Sequence, residues 1–102
     1  MSRIAIVDGT RTPFVKAWTD FEDIPVHELG RIAVRELLER TGLDPAKVDE
    51  VIFGSVAQSP EASNVARIIS VMAGIPKEKP AYTVSRNCAS GFESVTSALE
   101  KI

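Results

Sequence analysis

The sequence lacks several features that would assign it to common functional classes. It has one cysteine in 102 residues, so no internal disulfide can form, which is typical of a reducing compartment. Gly9 stands alone, without the G-x-G-x-x-G or Walker pattern of a phosphate-binding loop. The apolar run Ile4–Val7 is too short for a signal peptide or a membrane span. We therefore expect a cytoplasmic protein without a transmembrane segment.

The charge balance argues against nucleic acid as a partner. The formal net charge is −2, and no broad basic face is expected from it. The apolar content of 44% and the charged content of 25% are ordinary for a globular protein. The length allows one domain at most.

Three short apolar segments alternate with three segments of helical period, which predicts an α/β fold. Apolar residues without polar alternation are typical of strands that helices cover on both faces. The expected order β-α-β-α-β-α implies parallel strands, right-handed crossovers and helices on both sides of the sheet. The predicted strands are Ile4–Val7, Val51 to about Val56, and Ala81–Ser85. The predicted inward faces are Leu29, Ile32, Ala33, Leu37 and Leu38; Val65, Ile68, Ile69, Met72 and Ala73; and Phe92, Val95, Leu99 and Ile102.

Local signals predict where several elements begin and end. Pro25 suits the start of the first helix and Gly42 its end. Asp44-Pro45-Ala46-Lys47 is typical of a single capped turn, and Ser63 or Asn64 is expected to cap the second helix. Gly54, inside a strand, indicates the close approach of another backbone.

Two further expectations concern side chains outside the core. The long loop from Thr10 to Ile24 contains Phe14, Trp18 and Phe21. We expect these aromatic side chains to hold the loop against its own domain rather than to contact a partner. Arg67 is a candidate to pair with a carboxylate at the base of the loops, although an exposed helical arginine needs no such role.

Cys88 lies where the third strand ends and the third helix begins. The first N–H groups of a helix lack intrahelical partners, and the helix dipole places partial positive charge there. A thiolate at Cys88 would be stabilised by both, and the same N–H groups could hold an oxyanion. A lone cysteine is also commonly a small buried apolar residue. Position alone leaves both interpretations open.

His27, the only histidine, lies in the first turn of the first helix. A helix that follows a parallel strand starts at the carboxyl edge of the sheet, which is also the edge that carries Cys88. A Cys88–His27 pair is therefore compatible with the topology. The ordinary alternative is a solvated histidine at a helix start.

Three stretches of the chain resemble the thiolase family of acyl-CoA acyltransferases. The run from Val84 through Arg86, Asn87 and Cys88 to Phe92 resembles the segment that carries the family's nucleophile. The other two stretches are Gly9–Phe14, similar to the family's opening turn, and Val65-Ala66-Arg67 with Gly74-Ile75-Pro76, similar to its second helix and the exit from it. Many thiolases have Asn three residues before the cysteine, where this chain has Ser85.

The resemblance implies a fold of α/β/α layers. Each half of a thiolase holds a five-stranded mixed sheet between helices, and this chain would supply the first three strands of the first half. Three strands are fewer than the usual four to six, and the last apolar stripe ends without a helix terminator. We therefore expect residues 1–102 to be a partial N-terminal thiolase domain that ends within the third helix.

The resemblance also implies a function, with Cys88 as the nucleophile. The implied reaction is thiolytic cleavage of 3-ketoacyl-CoA, or its reversal by Claisen condensation, through an acyl-thioester. Coenzyme A thioesters would be substrates, with no cofactor and no metal. Implied partners are further copies, as a homodimer or tetramer, and the hydratase/dehydrogenase subunit of a fatty-acid β-oxidation complex. The histidine and second cysteine that thiolases use have no matching position here, so the 102-residue chain alone is expected to be inactive.

Two alternatives remain at this point. A related condensing enzyme, such as a ketoacyl synthase, would also carry a cysteine at a strand-to-helix junction. The chain could instead be a non-catalytic assembly module whose strand Ala81–Ser85 pairs with another copy along its edge.

Overall fold

The computed structural model describes residues 3–102, which form helices on both sides of a parallel strand pair. Strand β1 pairs with strand β2 in a register that places Val51 opposite Ala81 and Gly54 opposite Val84. In chain order the elements are α1 (Val26–Thr41), a 3-10 turn (Pro45–Lys47), β1 (Val51–Gly54), α2 (Val65–Met72), β2 (Ala81–Val84) and α3 (Ser90–Lys101).

The alternation of side chains along β1 separates the helices into two layers. Val51 and Phe53 pack towards α1 and α2, with Leu38, Ala66 and Ile75 in the same core. Gly54 lies on the opposite face, against the start of α3. Because successive side chains of a strand point to opposite faces, the two-strand sheet lies between α1 and α2 on one side and α3 on the other. This arrangement agrees with the α/β/α layers expected from the sequence.

The prediction of a first strand at residues 4–7 is wrong for this structure. The segment has no regular secondary structure, and Ile6 and Val7 are largely exposed. Ile4 and Ile6 line a cavity together with Ile52 of β1, so the segment runs beside β1 without pairing with it. An apolar run specifies burial but supplies no backbone partner, and a strand forms only where its N–H and C=O groups meet those of a neighbour. The sheet within residues 3–102 therefore has two strands, not three.

The ends of α1 agree with the sequence signals. Pro25 precedes the first helical residue, and Gly42 ends the helix in the left-handed conformation (φ 69°), with its N–H donating to Leu38 O at 3.0 Å. The helix crosses α2 at Gly30, where an added Cβ would lie 2.2 Å from Ile69 Cδ1. This glycine lets α1 approach α2 closely, a contact that the sequence pattern does not predict.

The predicted inward face of α3 is wrong. Phe92 is 75% exposed, and Val95, Leu99 and Ile102 are exposed as well. The buried residue is Ser90, with Ser94 partly buried one turn further along. These serines lie roughly opposite the large apolar side chains, because each residue advances 100° around a helix. A stripe of small side chains allows α3 to approach the sheet more closely than the apolar stripe would.

Two of the three aromatic side chains of the long loop, Phe14 and Trp18, do not hold it to the domain, whereas Phe21 is partly buried. Phe14 is 91% exposed and Trp18 is 88% exposed, which contradicts the expectation from the sequence. Polar contacts fasten the start of the loop instead: Thr10 Oγ1 donates to Ala33 O at 2.8 Å, and Arg40 Nη1 donates to Gly9 O at 3.1 Å. Hydrogen bonds to α1 therefore position the first residues of the loop. The presence of aromatic residues in the loop does not predict these hydrogen bonds.

Candidate active site at the start of the third helix

Cys88 lies in a turn of five residues between β2 and α3. It is exposed and forms no disulfide. Ala89 is the N-cap of α3 and makes no side-chain cap hydrogen bond. The first i to i−4 hydrogen bond of the helix runs from Glu93 N to Ala89 O at 2.8 Å. The backbone N–H groups before Glu93 therefore have no partner within the α-helix. The structure therefore places Cys88 where the sequence predicted, two residues before the helix, and not among buried apolar side chains.

The turn is closed by its own backbone. Ala89 N donates to Arg86 O at 3.0 Å, and Ser90 N donates to Asn87 O at 3.2 Å. Asn87 adopts φ 47°, a left-handed conformation that side chains other than glycine seldom take and that Asn tolerates better than most. The two N–H groups that follow Cys88 are thus used within the turn, and fewer first-turn donors are left for a substrate oxyanion than the sequence suggested.

Gly54 sets the distance between β1 and this turn. A Cβ built on Gly54 would lie 2.1 Å from Ser90 O and 2.7 Å from Gly91 N, both backbone atoms. Only a residue without a side chain lets the start of α3 sit this close to the sheet. The close backbone approach predicted at Gly54 is therefore confirmed.

His27 is not a partner of Cys88 in the described part of the chain, where no hydrogen bond joins the two side chains. The histidine is partly buried and lies close enough to Glu28 and Glu61 for its charge to help lower the pKa of both carboxyl groups. The larger causes are the Arg31 hydrogen bond at Glu28 and the Ser59 hydroxyl at Glu61. The structure therefore brings His27 near two carboxylates and does not confirm the Cys88–His27 pair.

The start of α2 is tied to β2 by Asn64, one of the two predicted caps. Asn64 Oδ1 accepts from Arg67 N at 3.4 Å and from Thr83 Oγ1 at 2.8 Å, and Nδ2 donates to Ala81 O at 3.1 Å. Thr83 Oγ1 in turn accepts from Ala66 N at 3.0 Å. This network fixes β2, the strand that leads to Cys88.

Within residues 3–102, Arg67 does not pair with a carboxylate. Its guanidinium donates to the carbonyl oxygens of Lys79 at 3.0 Å and Lys77 at 2.8 Å. The ion pair near the site is instead between Arg86 and Glu93, with Nη1 and Oε2 2.9 Å apart. An arginine on a helix has enough reach to satisfy nearby loop carbonyls, and the sequence does not distinguish these from carboxylates.

Neither a candidate metal-binding cluster nor the 580 Å³ cavity of the structure involves Cys88 in the described residues. Within residues 3–102 no group of three or more His, Cys, Asp and Glu side chains is placed to hold a metal ion. A cavity of about 580 Å³ lies between the segment 4–6 and α3, and its lining does not include Cys88. No helix in the same described range is long and apolar enough to cross a membrane.

Comparison with solved structures defines the class of protein. The chain is similar to the crystal structure of the Bacillus anthracis acetyl-CoA acetyltransferase, with a TM-score of 0.76 and 34% sequence identity. The similarity covers 80% of this chain and 21% of that one. The fold is thus the thiolase fold, with Cys88 exposed in the turn between β2 and α3.

Comparison with protein families gives the membership. Residues 4–102 match the family model described as the thiolase N-terminal domain. The chain belongs to the thiolase family. It is 49% identical over 100 residues to a 3-ketoacyl-CoA thiolase of Serratia proteamaculans and 48% identical to one of Photorhabdus laumondii. Each match covers 98% of this chain and 23% of the relative, so the chain spans about a quarter of the length of these relatives.

Proposed function

We propose that this chain carries the nucleophile of a 3-ketoacyl-CoA thiolase and that Cys88 is that nucleophile. The observation that supports this most directly is the exposed Cys88 thiol in the turn before α3, in a chain of the thiolase family. Relatives named 3-ketoacyl-CoA thiolase support the substrate class. Because the matches are with thiolases, the alternative of a ketoacyl synthase has less support.

The proposed reaction proceeds in two transfers. The Cys88 thiolate attacks the 3-keto carbon, the bond between C2 and C3 breaks, and acetyl-CoA leaves after its α-carbon takes a proton. The thiolate of a second coenzyme A then attacks the acyl-thioester and releases Cys88 together with a shortened acyl-CoA. Covalent catalysis divides one difficult carbon–carbon cleavage into two easier steps. In the proposal no metal and no bound cofactor takes part.

The proposal extends to location and partners. We place the protein in the cytoplasm, as a homodimer or tetramer, with the hydratase/dehydrogenase subunit of a β-oxidation complex as a further partner. Within residues 3–102 the outer edge of β2 pairs with no other strand, which leaves it available to a second copy. Such pairing would also serve a non-catalytic assembly module, but a module alone does not account for an exposed cysteine at this turn.

The test is Cys88→Ala in the full-length protein. We expect thiolysis of acetoacetyl-CoA to be lost, because no acyl carrier remains, while the oligomeric state measured by light scattering is unchanged. Iodoacetamide should inactivate the unmodified protein one-for-one at Cys88, as located by peptide mass spectrometry. Retained turnover in the variant, or inactivation through modification elsewhere, would refute the assignment. The 102-residue chain alone should show no turnover.

A further inference from the structure

The Ser90 hydroxyl makes two hydrogen bonds to the turn that contains Cys88. It accepts from Arg86 N at 2.8 Å and donates to Asn87 O at 2.7 Å, and Ser90 as a whole is 2% exposed. Arg86 and Asn87 precede Cys88, and Ser90 follows it. The two bonds therefore join the residues on either side of the cysteine.

The Ser90 hydroxyl adds two hydrogen bonds to a turn that its own backbone already closes but that contains a residue in a strained conformation. Asn87 is in the left-handed region at φ 47°, a conformation that persists for residues other than glycine only when the surroundings fix it. Ser90 is itself fixed, because its carbonyl packs against Gly54 of β1. A continuous series of contacts thus leads from β1 through Ser90 to Asn87 and so to Cys88.

Ser94, one turn further along α3, offers a natural contrast. Its hydroxyl donates to Gly91 O at 2.6 Å, which is the same i to i−3 contact that Ser90 makes with Asn87. Within the described residues, the Ser94 hydroxyl makes no hydrogen bond to the turn 85–89. The link to the turn belongs to Ser90 and not to serines of α3 in general.

We propose that Ser90 is a positioning residue for Cys88: its hydroxyl fixes the left-handed Asn87 turn so that the thiol faces substrate. The proposal depends on Cys88 being the nucleophile. A displaced nucleophile lowers the rate of the chemical step more than it weakens substrate binding, since only the reacting geometry is lost. The effect should therefore appear in kcat.

The experiment uses the full-length protein and compares Ser90→Ala with Ser94→Ala as its matched control. We expect Ser90→Ala to lower kcat for thiolysis by about ten- to hundredfold with KM within about twofold, and to slow alkylation of Cys88 by iodoacetamide. Ser90→Thr, which keeps the hydroxyl, should recover most of kcat. Ser94→Ala should leave kcat within about twofold.

A second pair of variants tests the route through Asn87. Glycine adopts positive φ without strain, so in an Asn87→Gly background the loss caused by Ser90→Ala should shrink to less than about threefold. This pair also provides a readout if Ser90→Ala alone does not fold.

The outcomes separate the two proposals. If Cys88→Ala stays active, the proposed function fails. If Cys88→Ala is inactive while Ser90→Ala keeps its kcat, the function stands and the positioning role is wrong. Equal losses in the two serine variants would overturn the role as well, because they would indicate a general weakening of α3. An undiminished loss in the Asn87→Gly background would exclude the turn as the route.

Discussion

Helices α2 and α3 both begin next to strand β2, yet their first turns are built differently. The start of α2 is closed by Asn64, whose side chain caps the helix and also bonds to Thr83 and Ala81 of β2. The start of α3 has Ala89 in the cap position and no side-chain cap. The turn before α3 is held by hydrogen bonds from the buried Ser90 hydroxyl, and Cys88 is exposed to solvent.

The difference indicates that the two junctions serve different purposes. A side-chain cap satisfies first-turn N–H groups and stabilises a helix, but it also occupies the space and the donors that a ligand would use. The α2 junction uses a cap, and so it contributes to stability. The α3 junction places its supporting hydroxyl on the buried side, which leaves the solvent side of the turn to the thiol.

The largest effect on stability should come from changing the contact between Gly54 and the start of α3. In Gly54→Ala the new Cβ would collide with the Ser90 carbonyl, and we expect the free energy of unfolding to fall by about 3 kcal/mol. The measurement is urea denaturation followed by circular dichroism. Gly91→Ala is the matched control, since a Cβ there meets nothing within 4 Å and should cost nothing. Similar stabilities of the two variants would show that Gly54 does not set the approach.

An intermediate effect is expected from removing the α2 cap. Asn64→Ala deletes the oxygen that accepts from Arg67 N and from the Thr83 hydroxyl, so the free energy of unfolding should fall by about 1–2 kcal/mol. Ser63→Ala, at the exposed neighbouring position, should change stability by less than about 0.5 kcal/mol. Thermal denaturation of both variants provides the comparison. A larger loss in Ser63→Ala would contradict the assignment of Asn64 as the cap.

The smallest effect on stability should come from making the start of α3 resemble that of α2. Ala89→Asp introduces a cap and a negative charge, and we expect a gain of up to about 1 kcal/mol. The carboxylate would also oppose a thiolate at Cys88, so alkylation by iodoacetamide should slow by about two- to fivefold. Ala89→Ser adds a cap without charge and serves as the control. Unchanged alkylation in Ala89→Asp would show that the field at the helix start does not act on this thiol.

Local signals in the sequence predicted a substantial part of the site. The turn at Asp44, the cap at Asn64, the end of α1 at Gly42 and the close approach at Gly54 are all confirmed. The first three depend on the conformation or hydrogen bonding of a few neighbouring residues, which the sequence contains directly. The approach at Gly54 is a contact with the distant Ser90, and it was predictable because a glycine inside a strand indicates that another backbone lies close. The position of Cys88 between β2 and α3 was predictable for the same reason.

Other features, one of them local and the rest dependent on distant contacts, were not predicted from the sequence. The role of Ser90 was missed, although a serine at the first helical position is a recognisable signal for a hydrogen bond to a carbonyl three residues back. The contact between Gly30 and Ile69 joins residues of two helices, and nothing in either helix alone indicates it. The exposure of Phe14 and Trp18 likewise depends on which surface the loop meets.

The sequence by itself determined the order of the three helices and of strands β1 and β2, several of their ends and the placement of one cysteine at a strand-to-helix turn. Those features follow from local backbone preferences and short-range hydrogen bonds. Only the tertiary structure decided that residues 4–7 stay unpaired, that α3 turns its serines and not Phe92 towards the sheet, and that Ser90 supports the turn. The hydrophobic pattern indicates which side chains favour burial. Whether a strand pairs, and which face of a helix packs against the sheet, depend on which partner surface is geometrically available.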